Sequence, residues 1–139
     1  MTARLEHKLD LNAIKAIYAS PQGAAVKDLF KRGLRVESAA KKNLQEFPQR
    51  VDTGRLRSDI HTELIAVQGK YTVRVGTNVY YALFVHDGTG IYGPRHQLIR
   101  PKSKKVMKWK GNDGFVYAKY TRGMIPNPFL KNALPAAKL

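Results

Sequence analysis

The 139-residue chain has no cysteine. That excludes disulfides, a thiolate nucleophile and thiolate-bound zinc, and it fits a reducing compartment. Long apolar runs are also missing. No stretch approaches the roughly 20 residues of a membrane span. The opening MTARLEHKLDLNAIKAIYAS alternates charge with aliphatics and has no signal-peptide core, so the expectation is a soluble protein not exported by that route. Acids are the third scarcity: 10 Asp+Glu stand against 25 Lys+Arg, a formal charge of +15. A field of that sign attracts polyanions such as DNA, RNA or an anionic membrane face.

The hydrophobic content of 43% supplies a packed core, and the length suits one domain over residues 1–139. Residues 1–20 read as an arm or short helix, with Leu9, Ala13, Ile14 and Ile17 at helical spacing over Leu9–Tyr18. Ser20-Pro21 reads as a cap followed by a first-turn proline. A long helix then places Val26, Leu29, Phe30, Gly33, Val36, Ala40, Leu44 and Phe47 on one face and ends at Pro48. Asp52 or Thr53 caps a short helix that carries Leu56 and Ile60 inward.

HTELIAVQGKYTVRVGT reads as two strands joined at Gln68-Gly69-Lys70. NVYYALFVHDGTG fits either a third strand or a short helix running into a glycine turn. Residues 90–122 read as an extended basic loop and a hairpin, KVMKWK-GNDG-FVYAKYTRG. Asn127-Pro128 starts a terminal helix, from which Phe129, Leu130 and Leu134 dock on the body. The expected class is α+β: a small antiparallel sheet packed on one long helix, with the basic hairpin and a short C-terminal helix.

Three motifs suggest chemistry. Gly88-Thr89-Gly90-Ile91-Tyr92-Gly93 spells a dinucleotide-binding fingerprint, but Pro94-Arg95-His96 follows where a helix should open. Asp52-Thr53-Gly54 spells the aspartic-protease triplet, but Arg55 directly after the glycine crowds a site that must share one proton between two carboxylates. His86-Asp87 pairs an imidazole with a carboxylate, yet the four histidines (7, 61, 86 and 96) offer no helical metal spacing with a third ligand. No catalytic, cofactor-binding or metal-binding residue is assigned.

The basic residues are concentrated. Arg95, Arg100, Lys102, Lys104, Lys105, Lys108, Lys110, Lys119 and Arg122 share their segment with one acid, Asp113. Trp109, Tyr117 and Tyr120 interleave with them. That mixture occurs in nucleic-acid binders, although aromatics are also ordinary strand residues.

Three blocks, in order, resemble the small tail-component or neck (tail-completion) proteins of long-tailed bacteriophages. The family's D-T-G-x-L-x-x-S/D-I is met by Asp52, Thr53, Gly54, Leu56 and Ile60. Its V-G-T-x-x-x-Y-A block is met by Val75, Gly76, Thr77, Tyr81 and Ala82, with Gly88-Thr89 beyond. Its P-x-P-F-L-x-x-A-L ending is met by Pro126, Pro128, Phe129, Leu130, Ala133 and Leu134. The resemblance spans Val26 to Leu134. One departure is His86-Asp87-Gly88, where the family usually has a glutamate and an intervening residue.

The resemblance implies a non-enzymatic virion protein, made in the host cytoplasm and built into the head–tail junction as a ring of about six identical subunits. It implies neighbours among neck, head-closure and tail-terminator proteins, and non-specific contact with genomic duplex passing through the lumen. On that reading Arg100, Lys102, Lys104, Lys105, Lys108 and Lys110 face DNA. Asp52, Thr53, Gly54, Tyr81, Gly88, Thr89, Gly90, Pro128 and Phe129 lie at subunit contacts, and the glycine turn is a hinge. The competing reading is a small basic nucleic-acid-binding module acting alone.

Overall fold

The structure is a computed structural model that describes residues 10–46, 54–111 and 113–138. Helix α1 is Leu11–Tyr18, with the Asp10 carboxylate accepting from the Asn12 and Ala13 amides at 2.9 and 3.1 Å. Leu9, included in the expected helix, lies outside the described residues. The Ser20-Pro21 start is corrected. The Gly23 amide donates to the Ser20 carbonyl and closes a turn, so the second helix begins at Ala24.

Helix α2, Ala24–Asn43, is the backbone of the fold. Its apolar stripe buries Val26, Gly33, Val36 and Ala40, and Leu44 is buried just beyond it. Lys27, Lys31, Arg35 and Ser38 face solvent, as the 3.6-residue period requires. Asp28–Arg32 and Glu37–Lys41 ion pairs, at 2.7 and 2.6 Å, brace successive turns. Phe47 and Pro48, the expected end, lie outside the described residues.

Helix α3, Arg55–Asp59, delivers Leu56 and Ile60 to the core. Strands β1 (His61–Val67) and β2 (Lys70–Gly76) then pair antiparallel, with Thr62 opposite Val75 and Leu64 opposite Val73. Gln68 and Gly69 both have positive φ, 50° and 76°, the two-residue turn whose twist matches a tight hairpin. This hairpin lies across α2 at Gly33. A Cβ there would overlap Val73 Cγ1 and come within 2.7 Å of Thr62 Cγ2. Only a bare Cα lets the helix approach so closely.

The ambiguous NVYYALFVHDGTG stretch settles as helix α4, Ala82–Asp87. Strands β3 (Met107–Gly111) and β4 (Gly114–Ala118) form a second two-stranded sheet. Helix α5, Phe129–Ala133, packs against α2. The class is α+β, with two small antiparallel sheets, one long helix and a short C-terminal helix. Its core joins Val36, Ala40 and Leu44 to Leu56, Ile60, Val79, Ala82, Val85, Phe129 and Ala133. Burial of the Phe129 ring, which is fully enclosed, contributes about 2–3 kcal/mol. Leu134 does not dock as expected: it is 61% exposed, because Leu134–Ala137 turns as a 3-10 helix that brings Ala137 to the core instead.

Two asparagines lock the C-terminal segment to α2. Asn43 Nδ2 donates to the Phe129 carbonyl at 3.0 Å, and Asn127 Nδ2 donates to the Asn43 carbonyl at 3.1 Å. Asn127 was expected only to start a helix. It is buried and satisfies a carbonyl left open at the end of α2.

Asp59 pins α3 to the turn after β2. Its Oδ2 accepts from Thr77 Oγ1 at 2.6 Å and from the Asn78 amide at 2.7 Å. These bonds hold its carboxyl below the ordinary value. Burial raises the Glu37 carboxyl, but hydrogen bonds from Lys41 and Thr62 and the nearby Lys41 and His61 charges outweigh it and leave the group lowered. His61 is raised by the Asp59 carbonyl and by Glu63.

Two predictions follow from this packing. Gly33→Ala gains up to about 1 kcal/mol of helix propensity but crowds two stiff β-branched methyls, an overpacking cost of about 1–3 kcal/mol. Its Tm should fall by several degrees, at roughly 4 °C per kcal/mol; an unchanged or higher Tm would contradict the close approach. The second concerns pH. The stability advantage of wild type over Asp59→Asn should be full above the ordinary carboxylate value of about 4 and close as pH falls below it. The advantage over His61→Gln should be full below about 6.5 and close as pH rises through the raised folded value. Thermal melts across pH 3–8 (about that range) read both, and an advantage over His61→Gln that grows with pH would reverse the assignment.

Candidate functional site

The glycine motif sits where the chain crosses itself. α4 stops at Gly88, and Thr89 and Ile91 donate their amides to the Met124 and Arg122 carbonyls, both at 2.9 Å. The Met124 amide returns a bond to Thr89 Oγ1 at 2.9 Å. Gly88 and Gly90 both have positive φ, 77° and 66°. A Cβ on Gly88 would lie 2.8 Å from the Met124 carbonyl oxygen, and one on Gly90 would overlap the Arg122 carbonyl. A short 3-10 turn, Gly90–Tyr92, follows, and no helix opens at Gly93. The glycines therefore serve a backbone crossing, and the dinucleotide geometry is missing.

Beside the crossing lies a cleft of about 570 Å³. Leu83, Phe84, Leu98 and Ile99 line it, and Asp87, Arg95 and Arg100 bring charge to it. The outward side of α4 and the residues before it are apolar: Tyr80, Leu83 and Phe84 are 82%, 62% and 52% exposed.

The expected subunit-contact residues divide. Asp52 and Thr53 lie outside the described residues. Gly54 has φ 79° with open space where a Cβ would be. Tyr81 is half-buried and meets Tyr80 edge-to-face at 5.4 Å. Thr89, Gly90 and Pro128 are half-buried, Gly88 is buried, and Phe129 is enclosed in the core. Asp59, which organises the same region, falls at the S/D position of the first block but was not singled out, and Asn127 was read only as a helix start.

Arg100, Lys102, Lys104, Lys105, Lys108 and Lys110 are all exposed, as are Arg95, Lys119 and Arg122. Among the described residues none of them forms an ion pair. The β3–β4 register puts Lys108 opposite Tyr117 and Lys110 opposite Phe115 on one face, and Trp109 opposite Val116 on the other. Lys108 Nζ sits 3.9 Å from the Phe115 ring centre and 5.5 Å from that of Tyr117, a cation–π arrangement.

His86 Nδ1 and Asp87 Oδ1 are 2.7 Å apart, and the His86 ring packs edge-on against Phe129 at 5.6 Å. Among the described residues no group of three or more His, Asp or Glu could hold a metal, and no helix is long and apolar enough to cross a membrane.

The crossing changes the outcome expected for the glycine variants. From sequence, Gly88→Val and Gly90→Val should block ring assembly yet leave a folded monomer. With the side chain pointed at the chain's own backbone, Gly90→Val should destabilise the monomer by at least about 2 kcal/mol. A calorimetric Tm equal to wild type would restore the hinge-only reading.

Residues 22–88 match the family described as "Bacteriophage HK97-gp10, putative tail-component". The match runs from the start of α2 to the glycine that ends α4, so the first block and all of the second but Thr89 lie inside it, and the C-terminal block and basic hairpin lie beyond it. Comparison with curated proteins and with solved structures gives no significant match. The segment from α2 through α4 is thus similar to the HK97-gp10-like family of putative phage tail components.

Proposed function

We propose that this tail component forms a closed ring of about six identical subunits at the head–tail junction, with genomic DNA passing through its lumen. The observation that carries the reading is the uncompensated basic segment, from Arg95 to Arg122, with every cation exposed. Cations of this kind neutralise phosphates without reading bases. A ring multiplies the charge facing the lumen, which suits a channel that must hold DNA loosely and release it.

The apolar side of α4, with Tyr81, Thr89 and the cleft beside them, supplies the surface for the next subunit. A head-to-tail contact of this sort closes into a ring when its rotation closes. Only part of the basic segment then faces DNA. The rest meets neighbouring neck, head-closure or tail-terminator proteins through complementary charge. The protein is accordingly a virion component, assembled in the host cytoplasm.

Light scattering after size exclusion, at low and high salt and with and without short duplex DNA, tests the reading. The expected result is an oligomer near six subunits whose size does not depend on DNA. In Lys102→Glu/Lys104→Glu/Lys105→Glu the oligomer should persist while duplex binding weakens and its salt slope falls by up to about 3, near 0.9 per lost phosphate contact. A monomer that binds duplex tightly with a steep salt slope would overturn the ring in favour of a free nucleic-acid-binding module.

A further inference from the structure

A second concavity, of about 580 Å³, runs along α2 between β2 and the C-terminal segment. It shares no lining residue with the cleft beside α4. Val36, Val73 and Val75 line it from α2 and β2, and Leu130 and Leu134 line it from the C-terminal segment. Leu134, 61% exposed, stands in the groove with no core to enter. The charged residues lining the groove are all cationic: Arg32, Lys131 and Lys138. Arg32 is paired with Asp28, whereas Lys131 and Lys138 make no ion pair among the described residues.

The charge distribution selects the occupant. Every acid among the described residues except Asp113 already has a partner in its own chain. Asp10 caps α1, Asp28 holds Arg32, Glu37 holds Lys41, and Glu46 lies 3.9 Å from Lys42. Asp59 is bound by Thr77, Glu63 by His61 and Asp87 by His86. A second copy would therefore bring few free carboxylates to this cationic rim and would leave it unneutralised. A nucleic-acid backbone would satisfy the rim but leave the valine and leucine floor wet. The matching chemistry is an apolar stripe flanked by carboxylates, as an amphipathic acidic helix presents.

We infer that this groove is a docking site for an acidic amphipathic segment of a different virion protein. The inference rests on the structural tail-protein reading and names a surface distinct from the proposed subunit and DNA contacts. The leucines of the segment cover Val36, Val73 and Leu134, while its carboxylates meet Lys131 and Lys138.

The test is fluorescence anisotropy of the full chain with a labelled synthetic helix, leucines spaced i, i+3, i+4 and glutamates elsewhere, against the same peptide with lysines for glutamates. The acidic peptide should bind and the lysine peptide should not. Leu134→Ser, at an exposed position that leaves folding intact, should weaken binding about tenfold, as should Lys131→Gln/Lys138→Gln. Lys102→Glu/Lys104→Glu/Lys105→Glu, remote in sequence from the groove, should change it by less than about twofold. No binding, equal binding of the lysine peptide, or binding lost in the hairpin variant but kept in Leu134→Ser would each overturn the inference. Light scattering on Leu134→Ser separates the two proposals: an intact oligomer with lost peptide binding leaves the ring standing, and a lost oligomer with peptide binding unchanged points to Leu134 as a subunit contact instead.

Discussion

The backbone crossing at Gly88–Gly90 and Arg122–Met124 is the constraint on which the rest depends. The chain leaves the body at Gly90, makes its whole basic excursion, and returns at Arg122 within hydrogen-bond distance of where it left. Ile99 and Thr121 exchange both their backbone bonds, at 3.0 and 2.9 Å, and extend this closure outward. A two-stranded hairpin is marginal alone, so its orientation comes from the anchored base. Beyond Arg122 the returning chain gives the Asn127 amide to the Val85 carbonyl at 2.9 Å and seats Phe129 in the core. Fixing the crossing thus sets both where the charge projects and how the C-terminal segment closes over α2.

The same layout explains how a chain of +15 folds at all. Self-repulsion among surface cations is softened by screening over roughly 8–10 Å, and the local pairs absorb what remains near the core. Carboxylates sit where they do structural work: at a helix cap, between helix turns, or under Thr77 at the α3 end. Among the described residues none but Asp113 is left for the basic arm. The excess is steepest in the arm, which holds nine cations against one acid, whereas the rest of the chain holds sixteen against nine. An anion close to such an arm lowers its energy.

Much of this was legible from residue order. The stripe from Val26 to Leu44 gave α2 because a helix buried on one side repeats its apolar residues every three or four positions. The first hairpin was legible from the strand pattern on either side of Gln68-Gly69-Lys70, though nothing in Gln68 itself announces its positive φ. The charge segregation from Arg95 to Arg122 was readable directly. What escaped notice depends on long-range pairing. Ser20-Pro21 is a good local start for a helix, and the turn to Gly23 overrides it. Asn127 sits before a proline and a helix, so its local reading was a start signal; its partner, Asn43, is distant in sequence and invisible to any local rule. Leu134 fits the helical period, but the chain tightens into a 3-10 turn and rotates it outward.

The glycines illustrate how a motif is decided by its surroundings. Gly88, Gly90 and Gly93 have the spacing of a phosphate cradle, but a cradle needs free amides at a helix start. Here the Thr89 and Ile91 amides are spent on Met124 and Arg122. The crossing also needs a third glycine that the motif does not contain: Gly123, at φ 88°, whose Cβ would overlap the Thr89 carbonyl. Two strands of backbone can approach this closely only if each yields its side chain at the crossing point. That reciprocal demand links Gly90 to Gly123 and makes the base of the arm stiff. A stiff base fixes where the arm's cations are held, and the field at a given point depends on that as well as on how many there are.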